Sequence, residues 1–313
     1  MLIARIRRQA RRGDGVLIGI GDDCSILRIP KNHEVLVTTD FSLEGIHFRR
    51  EWHPPDSVGH RCLTRGLSDI AAMGGEPFAV FLSLALPPDL PPAWVDKFMS
   101  GLLKLAARFD VTLAGGDTAQ SPGGVLADIV VLGSVPKGKA ILRSGARPGD
   151  RVYVTGELGG STGVLDLLLK GKEKLRPRDF ASHFYPEPRI EVGRFLREHN
   201  LASAMIDISD GLSTDLAHVC EESGVGAEIS AEAIPRARIG RPSGEVDLHF
   251  TLHGGEAYEL LFAAHPRKRV PARIASVRIT EIGHITHEKK MFLIDGKGVR
   301  SELRPQGWQH FTS

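Results

Sequence analysis

Aspartates that stand beside glycine or at the predicted ends of strands are the residues of this sequence best suited to chemistry. Loops at strand ends are where ligands usually bind. A single Asp in such a place is more often a turn former or a helix cap than a ligand. Several carboxylates in one cleft, however, would repel one another strongly unless divalent cations lay between them. The aspartates concerned lie in GIGDD, TTD, GGD and SDGLSTD, and are Asp22, Asp23, Asp40, Asp117, Asp210 and Asp215.

These carboxylates, with the neighbouring hydroxyls of Thr38 and Thr39, are typical ligands of Mg²⁺. Mg²⁺ is a hard cation that prefers carboxylate, hydroxyl, water and phosphate oxygens. It is usually held by few protein ligands together with the phosphates of a nucleotide. The sequence therefore predicts bound Mg²⁺ and a phosphate-rich ligand.

The common nucleotide-binding and hydrolase motifs are missing from the sequence. Residues 133–140, GSVPKGKA, match the P-loop pattern GxxxxGK[ST] except that Ala140 replaces the hydroxyl that would hold Mg²⁺. Pro136 also removes one of the backbone N–H groups that cradle phosphate. We therefore interpret this segment as a domain linker. No GxGxxG follows a strand, and neither HRD with DFG nor GxSxG is present, which argues against a Rossmann dehydrogenase, a protein kinase and an α/β-hydrolase.

The composition favours small polar ligands over polyanionic partners. Lys plus Arg (40) nearly balance Asp plus Glu (38), so no overall field would hold the protein to nucleic acid or to an anionic membrane. No apolar run approaches the roughly 18 to 20 residues needed to cross a bilayer. The three cysteines are far apart and form no CxxC pair, which predicts neither disulfides nor a zinc site. We expect a protein of the reducing cytoplasm.

The N-terminal segment MLIARIRRQARRGDG is rich in Arg and contains no acid before Asp14. It resembles a transit peptide or a nucleic-acid-binding arm in composition. An amphipathic first helix, with Leu2, Ile3 and Ile6 facing the core, explains the same pattern, because the apolar run VLIGI follows at once as a strand would. We favour the helix.

The elements that must position these residues alternate between short apolar runs and helical patterns, which predicts a mixed α/β architecture. Strand 35–39 should end at Asp40, helix 58–73 should contain Asp69, and Ser209 and Asp210 should open helix 212–222. The Pro-, Gly- and Lys/Arg-rich segment 136–150 is the candidate boundary between domains 1–137 and 138–313. The other predicted strands are 16–20, 78–86, 111–114, 127–135, 152–155 and 204–208, and the other predicted helices are 92–109, 162–169 and 189–199.

Taken together and in order, the motifs of this chain resemble those of the thiamine-monophosphate kinases. The resemblance runs from about residue 17 to the final GWQHF and extends to a superfamily with aminoimidazole ribonucleotide synthetase, selenophosphate synthetase and a hydrogenase maturation factor. Seven motifs in the same order and spacing identify a family far more specifically than any single motif does. They are GIGDDC (19–24), VTTDFSLEGIHF (37–48), LSDIAAMGG (67–75), AGGDT (114–118), LRSGARPGDRVYVTG (142–156), DISDGLSTDL (207–216) and HGGEAYEL (253–260).

The resemblance implies a fold and a set of site residues. It implies an α+β N-terminal domain that binds ATP and Mg²⁺ and pairs its sheet with that of a second subunit, an α/β C-terminal domain, and an ATP site in the cleft between domains. K⁺ is a further candidate ion. By position, the implied Mg²⁺ ligands are Asp23, Thr38, Thr39, Asp40, Asp69, Asp117, Asp210 and Asp215; the implied ATP contacts are Gly116, Asp117, Arg143 and Ser213; the implied thiamine monophosphate contacts are His47, Glu256 and Trp308.

Three of these residues also have ordinary structural explanations. A lone His after an apolar strand, such as His47, is often only a structural residue. Arg143 could be a solvated charge, although its small neighbours would leave it free to clamp a phosphate. Trp308 could tie the C-terminal segment to the core, or stack on a planar cationic ring.

The sequence departs from the family pattern in two motifs. GGEDYEL of the family is here GGEAYEL, so Ala257 lacks a carboxylate and puts the geometry around Glu256 in doubt. The position before LSD, often Asn in the family, is Gly66. The N-terminus also lacks the acidic lead-in that the family tends to have. Neither motif change removes an implied metal ligand.

The reaction implied by the family suits this residue set. Thiamine monophosphate is already mostly a dianion at pH 7, because the second ionisation of a phosphate monoester lies near pH 6, so in-line attack on ATP needs no dedicated base. We expect direct transfer without a phosphoenzyme. Two alternatives remain: another ATP-dependent synthetase of the superfamily, or a catalytically impaired protein that binds thiamine phosphate or nucleotide. Binding of nucleic acid through the N-terminal arginines is a weaker third one.

Overall fold

A computed structural model of the chain describes residues 2–9, 13–171, 175–240 and 243–308; the side chains of residues 2–4 and 9 are also left out of the description. Two compact units account for the contacts of the chain. The first unit comprises Met1–Ile70, Gly75–Lys139 and Phe184–Pro186, and the second comprises Ala71–Gly74, Ala140–His183 and Glu187–Ser313. Of the helices in the described ranges, none combines the length and the apolar composition needed to cross a membrane.

The first unit is built on a four-stranded sheet with two long helices. Strand order is β3-β6-β4-β5, in which β6 pairs antiparallel with β3 and β4, and β4 pairs parallel with β5. A short antiparallel ribbon, β1-β2, precedes the sheet. The elements are α1 (Leu2–Gln9), β1 (Val16–Ile18), β2 (Ile26–Leu27), β3 (His33–Leu43), α2 (Pro55–Ala72), β4 (Glu76–Leu86), α3 (Pro92–Arg108), β5 (Thr112–Gln120) and β6 (Leu126–Pro136).

Helix α2 packs closely on one face of this sheet because glycine lies at the contact. A Cβ on Gly66 would lie 2.5 Å from a methyl carbon of Val131 and 3.6 Å from the methyl carbon of Thr38. Ile129 and Val131 of β6 are fully buried on this face, and each such side chain contributes roughly 1.5–3 kcal/mol through burial. The close approach explains why Gly occupies the position at which the family often has Asn.

The other face of β3 is exposed, and three of its side chains, on either side of Thr39, are apolar. Val35, Val37 and Phe41 alternate with inward residues, as side chains of a strand must, and they are 43%, 63% and 53% exposed. Three large exposed hydrophobic side chains on one strand form a patch of the kind that marks an interaction surface. We call Val35, Val37 and Phe41 the apolar face of β3.

The second unit contains a larger, mostly antiparallel sheet with order β16-β15-β9-β14-β7-β12-β8, and β13 pairs with β14. Helix α7 packs against this sheet through Leu212, Leu216 and Val219. The elements are β7 (Arg151–Thr155), α4 (Gly160–Lys170), a 3₁₀ turn (Pro177–Phe180), α5 (Ala181–Phe184), α6 (Ile190–Glu198), β8 (Ala204–Ile208), α7 (Leu212–Ser223), β9 (Gly226–Ser230), β10 (Arg238–Ile239), β11 (Gly244–Glu245), α8 (Leu248–His253), β12 (Glu259–Ala264), β13 (Arg273–Ile274), β14 (Val277–Thr286), β15 (Met291–Ile294) and β16 (Arg300–Glu302).

Two strands of the first unit extend well beyond the residue at which they were predicted to end. Strand β3 continues past Asp40 to Leu43, because β6 pairs with it along its full length. Strand β5 continues past Ala114 to Gln120, because it pairs with β4 in parallel. Gly116 and Asp117 therefore lie within a strand and not in a loop after it. A Cβ on Gly116 would lie 1.8 Å from the carbonyl oxygen of Leu82, and its φ is +142°, so only glycine fits.

The P-loop-like segment has the structure of a strand end and a turn. Residues 133–136 are paired in β6, and no helix follows in the described residues 137–150. A phosphate-cradling loop must lead into a helix N-terminus, so this segment lacks the structure of a P-loop. Near the N-terminus, the expected first helix forms as α1, with Ile6 half-buried. Residues 10–12 of the Arg-rich segment, the side chains of Leu2 and Ile3, and the final QHF lie outside the described residues.

Candidate functional site

A cavity of about 750 Å³ in the first unit contains the first group of predicted site residues. Its walls come from residues 19–25, 81–84 and 113–118, together with Ile6 of α1. Asp23 and Asp117 are exposed in this cavity and Gly116 lies beside them. The structure therefore brings GIGDD and AGGDT, which are far apart in sequence, to one place.

Local backbone contacts fix two of the three carboxylates that line the cavity, those of Asp117 and Asp22. Asp117 Oδ1 accepts a hydrogen bond of 2.7 Å from the N–H of Thr118, and Asp22 Oδ1 accepts one of 3.0 Å from the N–H of Asp23. Gly21 has a φ of +124°, and a Cβ there would lie 2.5 Å from Cζ of Arg7. The guanidinium of Arg7 thus lies against the GIGDD turn, where a positive charge favours anions nearby.

Strand β3 carries the predicted hydroxyl ligands on its two faces. The Thr38 hydroxyl donates to Asp69 Oδ2 of α2, and the Thr39 hydroxyl donates to Asp128 Oδ1 of β6 at 2.9 Å. Asp40 Oδ1 accepts a 2.9 Å hydrogen bond from Nε of Arg65, one turn before Asp69 on α2. A divalent cation at Asp40 would have to share this carboxylate with the Arg65 guanidinium.

Asp128, which the sequence alone did not single out, lies beside the predicted residues. Across the sheet it is directly paired with Phe41 of β3 and with Ser83 of β4, and Ser83 is in turn paired with Asp117 of β5. Directly paired residues point to the same face, so Asp128, Ser83 and Asp117 form a row. The available signal was the charge in LADIVVLG: a carboxylate at an outward position of an otherwise apolar strand is unusual.

The described residues contain no group of three His, Cys, Asp or Glu side chains placed to hold a metal ion. The carboxylates and hydroxyls are instead spread over the cavity and the adjoining strands. All of them are hard oxygen donors, the chemistry that Mg²⁺ requires, and Mg²⁺ takes most of its remaining ligands from water and substrate phosphates. The residues therefore fit Mg²⁺ in type, without forming a complete protein cage.

In the second unit, backbone hydrogen bonds hold the segments that carry three other predicted residues next to one another. The N–H of Glu256 donates to the carbonyl of Ser209 at 2.7 Å, and the N–H of Trp308 donates to the carbonyl of Asp210 at 3.1 Å. Asp210, Glu256 and Trp308 thus lie on adjacent segments, and the Trp308 side chain is 52% exposed. The structure brings together an acid from DISDG, an acid from GGEAYEL and an aromatic ring.

The GGEAYEL loop is strained at two residues. Glu256 has a φ of +59° and Tyr258 a φ of +53°, values that non-glycine residues seldom adopt and that are typical of functional loops. Ala257 between them packs against the apolar core of the second unit. Its methyl group suits that contact, and the backbone of Glu256 is held by Ser209 independently of it.

Asp215 has a different place from the one expected. It is 1% exposed, and its Oδ2 accepts hydrogen bonds of 3.1, 3.2 and 3.0 Å from the N–H groups of Ser209, Asp210 and Gly211. Burial, with the nearby charges of Asp207 and Asp210, raises the pKa of Asp215 to about 8. Asp215 organises the loop that carries Asp210, and this loop has Gly211, not Ser209 or Asp210, as the residue preceding α7.

Ser213 is also buried. Its side chain is 0% exposed; its Oγ lies 2.8 Å from Nδ1 of His253 and accepts the N–H of Gln306 at 3.4 Å. Burial, and then the nearby His249, lower the pKa of His253. The expected contact between the Ser213 side chain and ATP does not fit this interior position.

The two remaining predicted residues lie in loops. His47 follows β3, and its Nδ1 accepts a 3.0 Å hydrogen bond from the N–H of Leu43, which places its proton on Nε2. Arg143 precedes β7 in the second unit, is exposed, and forms no ion pair with the described residues. Its guanidinium is available to an anionic ligand.

Two family models match the chain. Residues 21–135 match the AIR synthase related protein, N-terminal domain, and residues 147–296 match the AIR synthase related protein, C-terminal domain. Among curated proteins, the thiamine-monophosphate kinase of Escherichia coli is 37% identical, with 100% of this chain and 98% of that protein aligned. The thiamine-monophosphate kinase of Haemophilus influenzae is 36% identical over 95% of this chain and 93% of that protein.

Solved structures give the same result. The crystal structure of thiamine-monophosphate kinase from Stenotrophomonas maltophilia superposes with a TM-score of 0.83 at 32% identity, covering 96% of each chain. AaThiL complexed with AMPPCP and TMP superposes with a TM-score of 0.79 at 31% identity, covering 91% of this chain and 89% of that one. Escherichia coli HypE, a hydrogenase maturation protein, matches in fold alone, at 17% identity and a TM-score of 0.74, over 96% of each chain.

Proposed function

Because this chain belongs to the thiamine-monophosphate kinase family, with the two-domain AIR synthase-like fold, we propose that it transfers the γ-phosphoryl group of ATP to thiamine monophosphate. The products are thiamine diphosphate and ADP. The observation that carries this proposal is the agreement with curated kinases over the whole chain, at 37% identity. A related chain with AMPPCP and TMP bound adds support, because it covers both units of this chain.

Mg²⁺ is the metal ion of the proposed reaction, with K⁺ as a secondary candidate. When bound, Mg²⁺ offsets the charge of the phosphates and helps to align them for in-line transfer. The oxygen-only donor chemistry of the predicted residues supports this choice. Asp215 is not one of the proposed Mg²⁺ ligands, because its buried carboxylate accepts hydrogen bonds from three backbone N–H groups. The proposed ligands are Asp23, Thr38, Thr39, Asp40, Asp69, Asp117 and Asp210.

The protein side chains have to hold and align two anionic substrates. The backbone of Gly116 contacts the phosphates beside Asp117, and the exposed Arg143 binds phosphate oxygens bidentately. The ring of Trp308 stacks on the thiamine of the acceptor, next to Glu256, and His47 donates from Nε2 to its phosphate. No side chain takes a proton from the nucleophile, because a phosphate dianion has none to lose.

A homodimer is part of the proposal. The apolar face of β3, defined by Val35, Val37 and Phe41, supports it, since a second copy of this sheet would remove that surface from water. Domain 1–137 is then the proposed ATP-binding, Mg²⁺-binding and dimerisation domain, and domain 138–313 is the proposed C-terminal α/β domain. A cytoplasmic location is supported by the three cysteines, all of which are free thiols.

The direct test of the activity is product identification. Purified protein is incubated with ATP and Mg²⁺, with and without thiamine monophosphate, and the mixtures are separated by chromatography. We expect equal amounts of ADP and thiamine diphosphate, formed only when the acceptor is present. ATP binding without product would favour the impaired binding protein, and ADP without thiamine diphosphate would favour another acceptor of the superfamily. Retention of γ-³²P on denatured protein would contradict direct transfer.

A further inference from the structure

The hydroxyl groups of Thr38 and Thr39 are each held by a carboxylate from another element. Thr38 donates to Asp69 on α2, and Thr39 donates to Asp128 on β6 at 2.9 Å. Asp69 is one of the residues that the family resemblance implies, whereas Asp128 is not. The two pairs have the same chemistry, although they lie on opposite faces of β3.

A threonine hydroxyl that donates its proton to a carboxylate keeps both lone pairs of its oxygen free. Because the hydrogen bond fixes the direction of the hydroxyl proton, the hydroxyl does not have to rotate before its oxygen can bind a metal ion. The carboxylate also makes the hydroxyl oxygen more electron-rich, as partners of metal ligands commonly do. The contact from Asp128 therefore prepares Thr39 to coordinate a cation.

No cationic side chain of the described residues pairs with Asp128 and so explains its charge. Among the described residues it takes part in no salt bridge, and it is half-buried between Phe41 and Ser83. Ser83 lines the cavity that contains Asp117. The hydrogen bond from the Thr39 hydroxyl is the side-chain contact that the structure gives Asp128. This contact, next to the cavity wall, gives Asp128 a role that an ion pair does not.

We propose that Asp128 is a positioning residue of the kinase site, which orients the hydroxyl of Thr39 towards the divalent cation of the bound nucleotide. This inference rests on the proposed function, since it requires that a metal–nucleotide complex binds beside β3. Asp128 acts through Thr39 and need not itself touch the cation. The hydrogen bond from Thr39, rather than the charge alone, is what the cation site requires.

The test measures metal binding without turnover. Mn²⁺ binding in the presence of the non-hydrolysable nucleotide AMPPCP is followed by electron paramagnetic resonance for wild type, Asp128→Ala, Asp128→Asn, Thr39→Val and the double variant Thr39→Val with Asp128→Ala. We expect Asp128→Ala to weaken Mn²⁺ binding by about 10- to 100-fold, the usual effect of removing a partner of a metal ligand. Asp128→Asn, whose amide oxygen still accepts the hydroxyl proton, should recover most of this loss.

The double variant distinguishes an indirect effect from a direct one. If Asp128 acts through Thr39, Thr39→Val and the double variant bind Mn²⁺ equally well, because the cycle is fully non-additive. Asp89→Asn, an exposed carboxylate of the same unit, is the matched control and should bind as wild type does. Thermal unfolding of each variant identifies any that fail to fold, and Asp128→Asn preserves the shape of the side chain.

Three results would overturn the inference. They are Mn²⁺ binding by Asp128→Ala that matches wild type, additive losses in the double variant, and a loss in Asp128→Asn as large as in Asp128→Ala. The failure of the proposed function has a different result. If wild type forms thiamine diphosphate and the variants give one of these three results, only the role of Asp128 is contradicted. Wild type that neither binds Mn²⁺ with AMPPCP nor forms product contradicts both.

Discussion

At the scale of single residues, side chains that a motif places side by side have separate tasks in the structure. Asp210 and Asp215 belong to one motif, yet Asp215 is buried on three backbone N–H groups, and the backbone of Asp210 is joined to the Trp308 segment. Sequence alone predicted both as ligands because a motif gives residue types and not burial. Similarly, Ser213 is an interior partner of His253.

His253 gives a prediction on pH. Its folded-state pKa is lowered, first by burial and then by His249, so folding favours the neutral imidazole beside Ser213. That contribution to stability is complete above the ordinary histidine pKa of about 6.5, and it is lost as pH falls through the lowered folded-state value. We expect the melting temperature of wild type to fall more between pH 7 and pH 5 than that of His253→Asn, as measured by differential scanning calorimetry. Equal falls in the two proteins would contradict this account.

At the scale of helices and strands, hydrophobic periodicity located most of the elements up to α7, and pairing set the ends of the strands. The elements after α7, β9 to β16 and α8, were not predicted. The helix predicted over 92–109 is found as Pro92–Arg108, because Pro starts it and an apolar stripe runs along it. Strands β3 and β5 extend beyond the predicted Asp40 and Ala114, since partners elsewhere in the chain continue the ladder. Asp128 was missed for the same reason: its neighbours Thr39 and Ser83 come from strands distant in sequence.

The contact between α2 and α3 gives a prediction on stability. A Cβ on Gly101 of α3 would lie 1.9 Å from the carbonyl oxygen of Asp56, at the start of α2. Because backbone would have to move, Gly101→Ala should destabilise the protein by about 1–3 kcal/mol, the usual cost of overpacking. Gly123→Ala, where the structure has nothing within 4 Å of an added Cβ, is the control. Urea unfolding measures both; equal midpoints for the two variants would show that α2 and α3 are not in close contact.

At the scale of the whole molecule, the fold class and the family followed from the order of the motifs, while the surface roles of the elements did not. Alternating apolar residues in 35–41 predict a strand, but only the structure shows that Val35, Val37 and Phe41 are exposed among the described residues. The contacts also assign Ala71–Gly74 to the second unit and Phe184–Pro186 to the first, which no local sequence pattern predicts.

The apolar face of β3 gives a prediction on assembly. Val37 is its most exposed member, at 63%. Val37→Lys places a charge where the proposed dimer buries the face, and so should convert the dimer into a monomer at micromolar concentration. Sedimentation equilibrium measures the change, with Leu169→Lys, an exposed residue of α4 at 62%, as the control. A wild-type monomer, or a dimer unaffected by Val37→Lys, would contradict the role assigned to this face.

The measurement that tests the central claim most directly is the rate of thiamine diphosphate formation by Asp117→Asn beside the exposed-carboxylate control Asp89→Asn. Asp117 lies in the cavity with Asp23 and Gly116, whereas Asp89 lies in the loop after β4. We predict that Asp117→Asn lowers kcat/KM by about 100-fold or more, on the order of 2.7 kcal/mol of transition-state stabilisation, and that Asp89→Asn retains wild-type activity. Equal activity of the two variants would contradict an acidic, metal-dependent kinase site in the first unit.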